Sequence, residues 1–373
     1  MSSKIKISIL LVSLLVTIVI IKFSFTEKEL SNFALGKSTS TYFATDKNKK
    51  HIHVSNIDSL AKSKIIETWK SNGKKDVALF LGNSQTHSIN QMQVGQFNYL
   101  EILDENLKNI QIVGNSLPNA SLQDFLISYS YWRDILPIKN VFIPLFYDDT
   151  RENSGINNGF YPQLVKENFR FTNDIDLLNK LNKRLSLLKE NLEDTANLEL
   201  STQDRSELFL NEFLYNNWNS VWGRRKDAQG YIFSNLYLLR NTLFNISPSS
   251  IRRKIPERYL NNMLALDLII NESISNDISI FLYIPPIRND VQIPYDLEDY
   301  NLFINEAKNL SNKSDFVHFK DFSSIVPASS FGFKESTSLT GEDKEYDFMH
   351  FTFQGHKILA DSLINFSTIN KTK

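Results

Sequence analysis

The chain has no cysteine among its 373 residues. That excludes thiol nucleophiles, thiolate metal sites and disulfides. An excess of either charge is also missing, since 41 Lys and Arg against 42 Asp and Glu leave a net charge of -1. Without a global basic field to attract phosphates, nucleic acid is a poor main partner. What remains is ordinary: 42% hydrophobic and 22% charged residues suit a globular protein able to bury a core. The length suits one large domain or two small ones.

One region lacks charge altogether. Ile7 to Ile21 is an uncharged, mainly aliphatic run, preceded by Lys4 and Lys6 and followed by Lys22. At about 1.5 Å per residue it reaches roughly 22 Å, short of the ~30 Å hydrocarbon layer. Lys6 and Lys22 can snorkel and Phe23 and Phe25 extend the apolar character, so spanning is feasible. The rival reading is a cleaved signal peptide, but Lys22-Phe23-Ser24-Phe25-Thr26-Glu27 is a poor cleavage site. Residues 1–26 therefore read as an uncleaved transmembrane anchor with its basic tip inside. The rest is expected outside the cytoplasm, periplasmic or at the cell surface.

Residues 27–55 are polar and read as a stalk. Their His51-Ile52-His53 pair has no carboxylate or further His nearby, so no metal or other cofactor is assigned. From 56 to 373 a single domain is expected. Its spacing predicts a helix over about Ile57–Lys70, a buried strand over Asp76–Leu81, then a turn at Gly82-Asn83-Ser84 and another helix. Short strands follow at Ile110–Val113 and Val141–Phe146, with a helix over Ser121–Ile135 between them. This alternation implies an α/β fold with a parallel sheet sandwiched by helices. A helical insertion over about 150–275 interrupts it, marked by Leu178, Leu181, Leu185, Leu188 and Leu192. It could act as a lid, a docking surface or plain packing. The rhythm resumes with strands at Ile278–Ile284 and Phe316–Phe319 and a helix over Leu297–Leu310. Ser323–Tyr346 reads as a long loop and Thr352–Phe366 as the last helix, capped by Thr352.

Two places carry chemistry. Ser84 stands where a strand gives way to a helix, so its hydroxyl could attack a carbonyl while its own N–H holds the oxyanion. At the other end, Asp347 precedes His350 by three residues, a spacing that lets one loop hold a base and the acid that orients it. Read singly, each has a plain alternative: an N-cap serine, and a surface acid beside a helix-capping histidine.

Gly82-Asn83-Ser84-Gln85-Thr86 resembles the first block of the SGNH (GDSL-type) hydrolase superfamily. Asp347-Phe348-Met349-His350-Phe351-Thr352-Phe353-Gln354-Gly355-His356 is similar to its last block. The resemblance implies a flavodoxin-like three-layer α/β/α fold, ester or acyl-transfer chemistry and no cofactor. It makes Ser84 the nucleophile, His350 the base and Asp347 its partner. Asn119 takes the place of the oxyanion-hole Gly of the second block, where a backbone N–H survives the change. Asp148 takes the place of the Asn of the third block, and an ionised carboxylate cannot donate there. Three alternatives follow: Asp148 is protonated, an amide of Asn83 or Asn119 substitutes, or activity is weak or lost.

The N-terminal anchor, the variant first block and Pro285-Pro286 after a late strand make the chain similar to the envelope-modifying branch. That branch includes proteins of alginate O-acetylation and teichoic-acid D-alanylation, which work beside a membrane-bound O-acyltransferase. The expected reaction is esterase or O-acyltransferase chemistry on an acylated cell-envelope polysaccharide. The alternatives are a non-catalytic assembly partner and a secreted lipase. Arg288 is a candidate anion clamp. His87 lies one turn beyond Ser84. Trp222-Gly223-Arg224-Arg225-Lys226 reads as a sugar-binding or solvated loop, and Arg252-Arg253-Lys254 as a lipid contact or plain charged surface.

Overall fold

The segment from Val77 to Gly82 has no charged or polar side chain, and it is buried along its whole length. The computed structural model describes residues 12, 39–42, 51–197, 202–217, 222, 224–247, 249–337, 339 and 344–369. Its strands are β1 (Thr39–Thr41), β2 (His53–Val54), β3 (Val77–Gly82), β4 (Ser88–Asn90), β5 (Gln111–Ser116) and β6 (Ile138–Pro144). They continue with β7 (Ser279–Ile284), β8 (Val317–Asp321), β9 (Phe331–Glu335) and β10 (Lys344–Phe351). Six strands in the order β2-β5-β3-β6-β7-β8 form one sheet, parallel at every pairing. From β5 to β8 this is the flavodoxin-like order 2-1-3-4-5, with β2 added at one edge. The order switches at β3, and Ser84 follows its carboxyl end, where such sheets bind ligands.

The helices are α1 (Ser59–Ser71), α2 (Ser84–His87), α3 (Tyr99–Asn106), α4 (Leu122–Arg133), α5 (Pro162–Lys166) and α6 (Asp176–Asn197). Then come α7 (Thr202–Asn217), α8 (Arg225–Leu243), α9 (Pro256–Ser275), α10 (Leu297–Leu310) and α11 (Phe353–Ile369). The two-residue period of β3 sends Val77, Leu79 and Leu81 into one core, with Phe125 of α4, Leu266 of α9 and Phe303 of α10. Ala78 and Phe80 enter the other, with Leu100 of α3 and Leu359 and Leu363 of α11. Both faces are thus covered by helices, which explains why the strands are apolar throughout. Phe80, Phe142 and Phe281 stand in register and stack at 4.2 and 4.6 Å. Burying a side chain of this size contributes roughly 1.5–3 kcal/mol. A one-residue slip would turn the row to the wrong face, so it helps hold the strand ends level.

Several expectations need correction. Of the N-terminal run, only Val12 lies among the described residues. Among those described, no helix is long and apolar enough to cross a membrane. The stalk region contains two domain strands: β1 pairs with β4, and β2 joins the main sheet. The helix after Ser84 is a single turn that gives way to β4. The long loop is replaced by β9 and β10, which pair with each other. Thr352 turns its hydroxyl to the Ser330 carbonyl at 3.1 Å.

The chain divides into two compact units. One spans Ser38–Glu193, Ser249–Phe333 and Tyr346–Lys373 and contains the main sheet. α9 belongs to it, so the expected insertion ends well before 275. The other holds the described residues within 1–37, 194–248 and 334–345. There Asn241 donates to the Thr337 carbonyl at 2.9 Å and Leu339 N–H donates to the Thr242 hydroxyl at 3.0 Å.

Candidate active site

Ser84 opens α2 and is half-buried, with Asn83 as the residue that caps the turn. Gly82 is required by close approach, because a Cβ there would lie 2.0 Å from the Thr86 hydroxyl. The His350 ring reaches Ser84 from β10, 266 positions away, with Nε2 at 3.0 Å from Oγ. Its Nδ1 lies 2.8 Å from Asp347 Oδ2. A carboxylate only accepts, so Nδ1 carries the proton and Nε2 is left to accept from Ser84. Asp347 Oδ1 accepts the N–H groups of Met349 and His350, each at 3.0 Å. Burial alone would raise the Asp347 pKa; the charge and hydrogen bonds of His350, with the Met349 N–H, bring it below the usual carboxylate value.

Side chains not singled out in the sequence hold these parts together. Gln85, buried next to Ser84, donates to the Met349 carbonyl at 2.7 Å and the Pro286 carbonyl at 2.8 Å. It thereby ties the serine turn to the backbone beside His350. Asn90 donates to Asp347 Oδ2 at 3.3 Å and to the Phe333 carbonyl at 3.0 Å. Only tertiary pairing reveals either role; as isolated residues they carry no chemical signal.

Asn119 lies in the turn Leu117-Pro118-Asn119-Ala120, where Ala120 N–H donates to the Leu117 carbonyl at 3.3 Å. Its φ of 52° is left-handed. Pro followed by a left-handed residue suits a type II turn, and Asn tolerates that conformation best after Gly. Leu117 N–H donates to the Gly82 carbonyl at 3.1 Å, fastening this turn to the strand end that leads to Ser84.

The other candidate donors are otherwise engaged. Asp148 is paired with Arg252, lies 3.4 Å from Arg151 Nη1 and accepts from the Tyr295 hydroxyl at 3.2 Å. Asp149 instead reaches the serine turn: Asn83 Nδ2 donates to its two oxygens at 2.9 and 3.1 Å. The Asn83 amide is therefore used, and its Oδ1 accepts from Gln85 N–H at 3.0 Å. Burial pushes the Asp149 pKa well above the ordinary value despite the Asn83 bond. Arg288 is no anion clamp. Its guanidinium binds Asp290 at 2.5 and 3.0 Å and the Gly332 carbonyl at 3.2 Å, and lies 3.9 Å from the Tyr346 ring centroid.

His87 is buried, with Nδ1 2.7 Å from the Ser116 hydroxyl, which also meets His53 Nε2 at 2.6 Å. Desolvation, reinforced by His350, lowers the His87 pKa to about 3. His356 also falls to about 3 through burial; it accepts from Tyr99 N–H and donates to the Ser88 carbonyl. Both are neutral structural rings. Lys254 faces Asp299 at 3.8 Å, and Arg225 covers Trp222 at 5.2 Å.

The chain matches no protein-family model and no curated protein. Among solved structures it is similar to a candidate acylhydrolase from Bacteroides fragilis, at 12% identity and a TM-score of 0.35, covering 82% of this chain and 96% of that one. A GDSL-like lipase from Bacteroides thetaiotaomicron follows at 11% identity and TM-score 0.34, covering 83% and 98%. A catalytic mutant of an acetylxylan esterase from Geobacillus stearothermophilus gives 11% identity and TM-score 0.32, covering 78% and 95%.

Proposed function

We propose that this chain is a serine-dependent esterase or O-acyltransferase of SGNH type. The observation that carries the reading is the run of short contacts from Ser84 through His350 to Asp347. His350 Nε2 takes the Ser84 proton as Oγ adds to the ester carbonyl, and the imidazolium is stabilised by Asp347. The tetrahedral intermediate collapses as His350 returns the proton to the departing alcohol. Water or a sugar hydroxyl then attacks the acyl-Ser84 ester with His350 again as base, and His350 returns the proton to Ser84 Oγ as its bond to the acyl carbon breaks. Backbone N–H groups of Ser84 and Asn119 are the proposed oxyanion donors. The substrate class we favour is an acylated cell-envelope glycan, reached by a membrane-anchored domain that works beside a membrane-bound O-acyltransferase.

A fluorophosphonate probe tests the chemistry. Wild-type protein is expected to label at Ser84, with labelling lost in Ser84→Ala and reduced by orders of magnitude in His350→Ala. Absence of labelling on folded wild-type protein would sink the catalytic reading. The engagement of Asp148 and Asn83 with other partners favours a second reading, a non-catalytic assembly partner of the acyltransferase. In that case Ser84→Ala preserves cellular polysaccharide acylation.

A further inference from the structure

A cavity of about 440 Å³ opens between the ends of α4 and α9 and the segment 169–173. Its size lies within the range of small-ligand sites, about 300–1,000 Å³. Arg133 is the last residue of α4 and Ser275 the last of α9. β6 and β7 begin just beyond, at Ile138 and Ser279. The cavity therefore lies at the amino edge of the parallel sheet, whereas Ser84 follows the carboxyl end of β3. Strands of six and seven residues hold those two edges about 20 Å apart.

The lining restricts what fits. Arg133 pairs with Asp134 at 2.7 Å and with Glu272; with Arg170 counted, two cations meet two acids and the formal charge cancels. The C-terminal ends of two helices add partial negative charge, which disfavours an anion. The two guanidinium groups disfavour an ammonium in turn. Asn271 donates its amide to Asp267 at 3.0 Å and Asn276 to the Glu272 carbonyl at 2.6 Å, and neither Oδ1 accepts from a described residue. Ser130 also lines the cavity. It is 4% exposed, and its buried Oγ has no hydrogen-bond partner among the described residues. A buried hydroxyl in that state is uncommon in a folded chain. Phe169 and Phe171, both half-buried, meet edge to face at 5.2 Å and supply apolar lining.

We propose that this cavity binds a neutral sugar segment. Sugar hydroxyls bring the donors that the two amide oxygens lack. The C–H face of a pyranose ring suits the electron-rich faces of Phe169 and Phe171. A ligand without charge matches a wall whose charges are already balanced. The site stands apart from Ser84 and needs none of its chemistry.

Full-length protein titrated with maltotriose and chitotriose, with trigalacturonate as the anionic counterpart, tests this by saturation-transfer NMR. At least one neutral probe is expected to bind, more tightly than trigalacturonate. Thr172 and Asn271 line the cavity at exposed positions, so their variants are expected to keep the unfolding midpoint. Thr172→Trp should close the mouth and remove binding. Asn271→Ala should raise the Kd about three- to tenfold, as one lost hydrogen bond does. Ser84→Ala should leave binding unchanged. No transfer to either neutral probe overturns the proposal, as does binding that both cavity variants retain. Equal or tighter binding of trigalacturonate overturns it too. Fluorophosphonate labelling, read in parallel, judges the catalytic reading separately, because sugar binding here does not require a reactive Ser84.

Discussion

Asp347 and Asp149 are both buried aspartates beside the same serine turn, one reached through His350 and the other through Asn83. Desolvation pushes both toward the neutral acid. Asp347 overcomes it, because an ionisable ring and two backbone N–H groups favour its charge, and its pKa falls. Asp149 receives hydrogen bonds from a neutral amide and has Asp148 nearby, so its pKa rises well above the ordinary value. Equal burial thus leaves one carboxyl below its ordinary pKa and the other well above it. What differs is the set of partners: an ionisable ring and two backbone N–H groups for one, a neutral amide and a neighbouring aspartate for the other.

The strongest way to break this comparison is Asp347→Asn. The amide can force the wrong His350 tautomer, and acylation is expected to slow on the order of 10³–10⁴-fold, read as the fluorophosphonate labelling rate. Asn83→Ala comes next. It removes the cap on Gln85 N–H and the donor to Asp149, at a cost of about 2–4 kcal/mol in urea unfolding. Gln85→Leu strands two buried carbonyls and is expected to cost roughly 2–3 kcal/mol. Its labelling rate should fall too, because the His350 backbone is released; unchanged labelling would make Gln85 a purely structural tie.

Asp149→Asn should have the smallest effect, about 1 kcal/mol or less at neutral pH, since an amide resembles the protonated acid. Its value lies in the pH profile. With its folded pKa raised, Asp149 contributes stability below about pH 4, lost as pH rises through the folded value; the Asn variant should lack that decline. Asp347 has the opposite sign: its contribution is present above about pH 4 and disappears as pH falls through its depressed folded value. Urea midpoints between pH 3 and 9 separate the two. An identical alkaline slope in wild type and Asp149→Asn would contradict the raised Asp149 pKa.

Much of this was legible before folding. Apolar runs bounded by Pro, Gly and Asn marked the strands, because burial on both faces leaves no room for alternation. The leucine spacing marked α6 for a similar reason, and Leu178, Leu181 and Leu185 are buried. Asn119 stands at a left-handed position, a local property that Asn tolerates. Asp148, Asn83 and Arg288 were legible only as types. Whether a carboxylate, amide or guanidinium is available depends on the neighbour it meets, and Arg252, Asp149 and Asp290 are each brought by folding.

By itself the sequence determined the α/β rhythm, the absence of thiol chemistry and the local pairing of Asp347 with His350, all short-range consequences of residue type and spacing. Tertiary structure alone decided that His350 meets Ser84, that Gln85 and Asn90 hold them, and that one buried aspartate has its pKa lowered while another has it raised. Those outcomes depend on distances across hundreds of residues and on local desolvation, which the linear chain does not contain until the sheet has closed its order.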